Sequence, residues 1–178
     1  MDEKYFSIIA ALDAESGIAK DNAIPWHLDG DLAHFQTITT KTQDRFKSNA
    51  VIMGRATWES LPPGKRPLPG RVNIVLTHND AADLPASVVK ADHWEKVFQY
   101  IQGHADEIEN VFVIGGGRVY QDAIQRPECR YLYLTHIMKR YGCDTFFPPF
   151  ERSFHLLSSS DYMEEDMTTY HFTVYQRK

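Results

Sequence analysis

Three short stretches of this chain carry side chains whose types and spacing could do chemistry. The first is Asn22–Phe35, N-A-I-P-W-H-L-D-G-D-L-A-H-F, where Asp31 stands among Trp26, Leu32 and Phe35. A carboxylate in apolar surroundings holds its proton more tightly than one in water, which suits proton chemistry near neutral pH. Asp is also a favoured helix cap, and the local residues alone leave both readings open. In the second, Asn49–Leu61, the apolar run V-I-M ends at Gly54 and is followed by Arg55 and Thr57. A helix N-terminus with a cation and a hydroxyl beside it is a site for an anion. In the third, the run Val111–Ile114 ends in Gly115-Gly116-Gly117 and continues as Arg118-Val119-Tyr120. With no side chains in the way, a pyrophosphate can approach backbone N–H groups at the start of a helix. The glycines do not fit the G-x-G-x-x-G spacing of the doubly wound dinucleotide fold.

These residues need elements to hold them. Tyr5–Leu12, Asn49–Gly54, Val72–Thr77, Val111–Ile114 and Tyr131–Ile137 are nearly continuous apolar runs. Runs of that kind read as strands buried on both faces, as in a parallel sheet. Helical stretches follow at Asp31 to about Thr40 and at Arg55–Leu61, the latter stopped by Pro62-Pro63-Gly64. Asp92-His93-Trp94-Glu95 reads as a capping box opening a further helix, with Val97, Phe98 and Ile101 on one face. Another helix begins at Gly117. Ala81–Val89 reads as a loop and a short strand, and Phe154–Ser158 and Thr169–Gln176 as the last strands. Strand–helix alternation with a strand-rich end predicts an α/β domain with a mostly parallel sheet. Asp13–Ala23 is polar and irregular, long enough to move.

The totals fit this picture. A chain of 178 residues with 43% hydrophobic and 24% charged residues is expected to form one domain, residues 1–178. A net charge of −5, with no long basic run, argues against nucleic acid as a partner. No stretch approaches the roughly 18 apolar residues of a membrane span. Met1-Asp2-Glu3-Lys4 is charged and no signal-peptide core follows, so the expected location is the cytoplasm. Cys129 and Cys143 make neither a metal-ligand motif nor a disulfide framework, and no metal is expected.

Taken together, A-A-L at Ala10–Leu12, I-P-W at Ile24–Trp26, D-L-x-x-F at Asp31–Phe35, V-I-M-G-R-x-T-W-E-S-L and V-I-G-G-G-R-x-Y resemble the dihydrofolate reductase family, over about Ser7 to Tyr175. The resemblance implies a mixed, mostly parallel sheet of about eight strands flanked by four helices. It implies reduction of 7,8-dihydrofolate to tetrahydrofolate with NADPH, in a monomer that also binds antifolates. Asp31 would hold the pterin, with Trp26 and Thr135 ordering a water beside it. Ile9, Ala11, Leu32, Phe35, Leu61, Leu68, Ile114 and Tyr120 would line the substrate slot, and Arg71 would fork onto the α-carboxylate of the folate glutamate. NADPH would lie against Ala11, Ile18, Ile24, Gly54, Arg55, Thr57, Thr77, His78, Ile114, Gly115, Gly116, Gly117, Arg118, Val119 and Tyr120. Gly115–Gly116 would be joined by a cis peptide, and a β-carbon at Gly116 would intrude on the pyrophosphate. Asp13–Ala23 would be the lid over the nicotinamide, packed on Gly142–Pro148. The chain departs from the family pattern at Ala19, where glycine is usual and Gly17 stands earlier instead. It departs also at Cys143, before Asp144-Thr145, and in a longer loop at Pro62–Lys65. Two other readings compete: the similarly folded pyrimidine reductase of riboflavin synthesis, and a catalytically silent nucleotide-binding module. The first has no reason to keep Trp26, Asp31, Phe35 and Arg71 together, and the second none to keep the carboxylate.

Overall fold

A computed structural model describes residues 4–80 and 82–178; the expectations placed on Met1, Asp2, Glu3 and Ala81 lie outside the described residues. The elements in chain order are β1 (Phe6–Leu12), β2 (Gly17–Ala19), α1 (Asp29–Thr40), β3 (Ser48–Gly54), α2 (Arg55–Ser60), β4 (Arg71–Leu76), β5 (Val89–Ala91), α3 (Trp94–Gly103), β6 (Ile108–Val113), α4 (Gly117–Ile124), β7 (Cys129–Ile137), β8 (Thr145–Phe146), β9 (Phe154–Ser159), β10 (Met163–Glu165) and β11 (Thr168–Arg177). Within the longer loop expected at Pro62–Lys65, Pro63–Lys65 form a 3₁₀ turn. Arg66 ties it back by donating from Nη1 to the carbonyls of Trp58 and Glu59, at 3.0 and 3.2 Å, at the C-terminal end of α2.

The main sheet runs β10-β11-β7-β1-β6-β3-β4-β5. Pairing is parallel from β7 through β5 and antiparallel at β11. It holds nine strands but is eight positions wide. β10 pairs with Thr168–Tyr170 and β9 with Thr173–Arg177, both on the edge of β11 that faces away from β7. Side chains alternate across the strands as a pleat requires. Ile8, Ala10, Ile52 and Ile74 join Trp94, Val97 and Ile101 of α3 and Tyr120, Ala123 and Ile124 of α4 in one layer. Ile9, Val51, Met53 and Val75 face the other way, against Phe35 and Ile38 of α1 and Trp58 of α2. Burial on both faces is the physical cause of the near-continuous apolar runs.

One expected detail fails. α3 opens with His93 in the capping position, one residue later than a capping box from Asp92 needs, and His93 makes no side-chain cap bond. The Asp92 carboxylate instead takes Lys96 Nζ at 2.9 Å and pairs with His93.

Candidate active site

The carboxyl ends of β1, β6 and β3 lie side by side, the usual place for a ligand crevice in an open α/β sheet. Asp31 reaches it from the first turn of α1. It is not the helix cap. The capping position is Leu28, extended at φ −130° and ψ 110°, and the free N–H groups of Asp29 and Gly30 donate to Glu165 of β10 at 2.6 and 3.1 Å. That leaves the Asp31 carboxylate for another partner. Thr135 of β7 donates from Oγ1 to Asp31 Oδ1 at 2.7 Å, and Ala11 of β1 is the register partner of Thr135. Burial raises the proton affinity of Asp31; the Thr135 hydrogen bond works against it, and the negative charge of Glu165 adds to it. The outcome is a carboxyl that titrates above its ordinary range.

Around this group the sequence-predicted residues gather. Ile9 and Leu68 are buried, and Phe35, Leu61 and Ile114 pack partly buried in the same cluster, which makes one apolar wall. Trp26 joins Ala11, Leu28 and Ile137, its ring 5.2 Å from Tyr141. Leu32 stands outside that wall, half exposed on α1. At the far end Arg71 lies 5.9 Å over the Phe35 ring, held by Thr39 Oγ1 at 2.9 Å and the Pro69 carbonyl at 3.0 Å. Burial lowers its proton affinity from a very high value, so it stays a cation fixed in place.

The second half of the site is built on close backbone approach. Gly54 N–H donates to the Gly115 carbonyl at 2.8 Å, and the Gly115–Gly116 peptide is cis as expected. The Thr57 hydroxyl would stand 3.3 Å from a β-carbon at either Gly115 or Gly116, so it lies directly over that linkage. Among the described residues Thr57 is the one protein neighbour that a β-carbon at Gly116 would meet within 4 Å. Gly115 has φ +126°, a region closed to other residues, and a β-carbon on Gly117 would lie 2.6 Å from Thr145 Cγ2 and 3.7 Å from Ile18 Cδ1. Val119 Cγ2 approaches Gly54 in the same way. Tyr120 is buried, with its hydroxyl committed to the Ile9 carbonyl at 2.9 Å and its proton held more tightly by burial. Neither α2 nor α4 has a side-chain cap, so their first N–H groups are free to receive phosphate oxygens. Arg55, His78 and Arg118 are exposed beside them; Thr77 is buried, its Oγ1 accepting the Asn79 N–H at 3.1 Å. Ile24 is exposed on the turn before Trp26. Uncapped helix starts, side-chain-free glycines and nearby cations are a fit for an anionic dinucleotide.

The lid segment forms β2, paired antiparallel with β8. Ala19 pairs with Thr145, and the left-handed turn conformations fall instead on Ser16, Asp21 and Asn22, so no glycine is needed at Ala19. Gly17 and Cys143 are complementary: a side chain at Gly17 would overlap Cys143, whose Sγ lies 2.6 Å from that point. Asp13, buried below them, accepts the N–H groups of Glu15, Gly17 and Tyr141 at 2.9, 2.7 and 3.1 Å and the Cys143 thiol at 3.4 Å. Burial would raise the Asp13 carboxyl, but these donors more than offset it and hold it below its ordinary value. Burial and the Asp13 carboxylate push the Cys143 thiol up to about 11, so it stays protonated. Sequence reading passed over both Asp13 and Glu165. Glu165 works through partners 136 and 135 residues away, and Asp13 joins its local donors Glu15 and Gly17 to Tyr141 and Cys143, 128 and 130 residues on.

Comparison with known proteins agrees with the geometry. The family profile described as dihydrofolate reductase matches residues 5–177. The chain is 40% identical over 185 residues to the dihydrofolate reductase of Heliothis virescens, covering 99% of this chain and all of that one. It is 38% identical over 180 residues to the bifunctional dihydrofolate reductase-thymidylate synthase of Daucus carota, covering 98% of this chain and 34% of that larger protein. The solved Schistosoma mansoni dihydrofolate reductase superposes with a TM-score of 0.87 at 29% identity, over 99% of this chain and 100% of that one. Fold, crevice and sequence thus converge on one conclusion: the chain belongs to the dihydrofolate reductase family, whose members reduce dihydrofolate to tetrahydrofolate with NADPH.

Proposed function

We propose that Asp31 is the one carboxylate on which this reduction turns. The observation that supports it is the half-buried Asp31, bonded to Thr135 from the helix whose Phe35 and Ile38 pack into the apolar wall. Dihydrofolate has a C6=N5 double bond; a hydride adds at C6 and a proton at N5. NADPH supplies the hydride when bound and leaves as NADP⁺. Asp31 accepts hydrogen bonds from the 2-amino group and N3 of the pterin and, as an anion nearby, raises the proton affinity of the ring. Thr135 holds the carboxylate in orientation, and Trp26 with Thr135 orders a water. Ile9, Phe35, Leu61 and Ile114 exclude bulk water and fix the ring plane, so that orientation replaces a chance encounter. Arg71 receives the folate α-carboxylate in a planar fork. Arg55, Thr57, Gly115, Gly116, Gly117 and the starts of α2 and α4 hold the cofactor phosphates. Antifolates would bind at the same carboxylate. The unit is one domain acting as a monomer in the cytoplasm.

The test is dihydrofolate-dependent loss of NADPH absorbance in wild type and Asp31→Asn. The amide is nearly isosteric but not anionic, so most turnover near neutral pH is lost while NADPH still binds. A variant with the wild-type rate across the pH range refutes the assignment. An inactive wild type that still binds NADPH would favour a silent binding module.

A further inference from the structure

We propose that Glu165 is a positioning residue of this enzyme: its carboxylate caps the helix that carries Asp31 and supplies the negative charge that keeps a proton near the pterin. The proposal rests on the role given to Asp31 above. Glu165 closes the start of α1 from across the fold, accepting the N–H of Asp29 at 2.6 Å and of Gly30 at 3.1 Å, 136 and 135 residues away in sequence. Tyr170 of β11 supports it, donating its hydroxyl to Oε2 at 3.4 Å. Gly30 makes room for this arrangement, because a β-carbon there would overlap the Tyr170 hydroxyl. The cap is therefore assembled from one glycine in the helix and two side chains of the C-terminal hairpin.

Its consequence for Asp31 is electrostatic. A helix N-terminus carries about half a positive charge, which by itself would favour ionised Asp31 in the first turn. Glu165 covers that end with a full negative charge, and its field acts on Asp31 in the direction of proton binding. The other titratable and charged groups about Asp31 do not replace it. Tyr120 of α4 and Tyr170 are phenols whose own protons are held more tightly in part by Asp31. His34, one turn along α1, is stacked on the Phe172 ring at 3.7 Å, and burial lowers its proton affinity. Asp29 lies exposed against His27. Thr135 donates to the carboxylate and works in the opposite sense. A negative charge at Glu165 raises the proton affinity of the Asp31–pterin pair whichever member holds the proton.

Glu165→Gln keeps an acceptor for the Asp29 N–H and removes the charge. Its turnover profile should move to lower pH, with a loss of about two- to fivefold on the alkaline limb, the size of one charge–dipole interaction. Glu165→Asp keeps the charge on a shorter arm; it should melt lower yet hold the wild-type profile. Carbon-detected titration of the Asp31 carboxyl in the ligand-free protein should show the same ordering without turnover. An unmoved profile in Glu165→Gln, or equal displacement in both variants, overturns the proposal. If Asp31→Asn turns over normally, the Asp31 assignment fails and this one with it. If Asp31→Asn is inactive and Glu165→Gln is indifferent to pH, only the role of Glu165 is refuted.

Discussion

Asp31→Asn should make the ligand-free protein more stable while making it a poor enzyme. Asp31 is half-buried, and Thr135 is its one hydrogen-bond partner among the described residues. Its carboxyl titrates above the unfolded value, so the folded chain binds the proton more tightly than the unfolded chain. For a group shifted that way, the favourable contribution is complete below the unfolded pKa and is lost as pH rises through the folded one. Once pH has risen through the folded value, the folded protein therefore carries an ionised group that the unfolded chain solvates better. An under-partnered buried polar or charged group costs about 1–3 kcal/mol. The amide keeps the Thr135 bond, since its oxygen accepts as the carboxylate did, and it removes the charge. In a chain of this length about 1 kcal/mol moves Tm by roughly 2–4 °C, so a rise of a few degrees is expected. The assay is a melt of both proteins between pH 4 and 8 without ligand. The gap should be widest at the alkaline end and narrow toward the acid end, as wild-type Asp31 takes up its proton. A variant that melts lower than wild type at pH 7, or a gap independent of pH, would refute the reasoning.

Three further outcomes follow from named contacts. Gly117→Ala should damage NADPH binding and lid closure more than Gly116→Ala, because the first β-carbon meets Thr145 Cγ2 at 2.6 Å and the second only the Thr57 hydroxyl at 3.3 Å; cofactor titrations of both variants decide it, and the reverse order removes the steric account. Asp13→Asn replaces a charged acceptor of three N–H groups, each such bond worth about 1.5–3 kcal/mol, and should speed hydrogen exchange at Ser16–Ala19; since the Asp13 carboxyl titrates below its ordinary value, wild type should loosen there only as pH falls through that lowered value, and equal protection in both proteins at pH 7 contradicts the anchoring role. Arg55→Ala should narrow the preference for NADPH over NADH by about tenfold or less, as one exposed charge-assisted contact allows, and an unchanged ratio of Michaelis constants would move the 2′-phosphate elsewhere.

The amino-acid sequence by itself determined which segments are buried strands, roughly where helices lie, and which residue types stand at the crevice. Those are local properties. Apolar runs such as Val51–Met53 mark burial on two faces, and Gly115–Gly117 marks close backbone approach wherever the chain goes afterwards. The motif spacing carried the family as well, because catalytic geometry ties residue type to position within each short stretch. Strands β2, β8 and β10 escaped notice because, with two or three residues each, they exist only by pairing with a distant partner. The choice between helix cap and buried acid at Asp31 was likewise made by tertiary structure. Glu165 takes the cap and Thr135, 104 residues from Asp31, takes the carboxylate. The same holds for Gly17, whose missing side chain is explained by Cys143, and for Asp13, whose donors converge from both sides of the lid. Hydrogen bonds and steric fits between segments a hundred residues apart leave no periodicity behind, since the free energy that selects them is realised only when the sheet has brought both partners to one place.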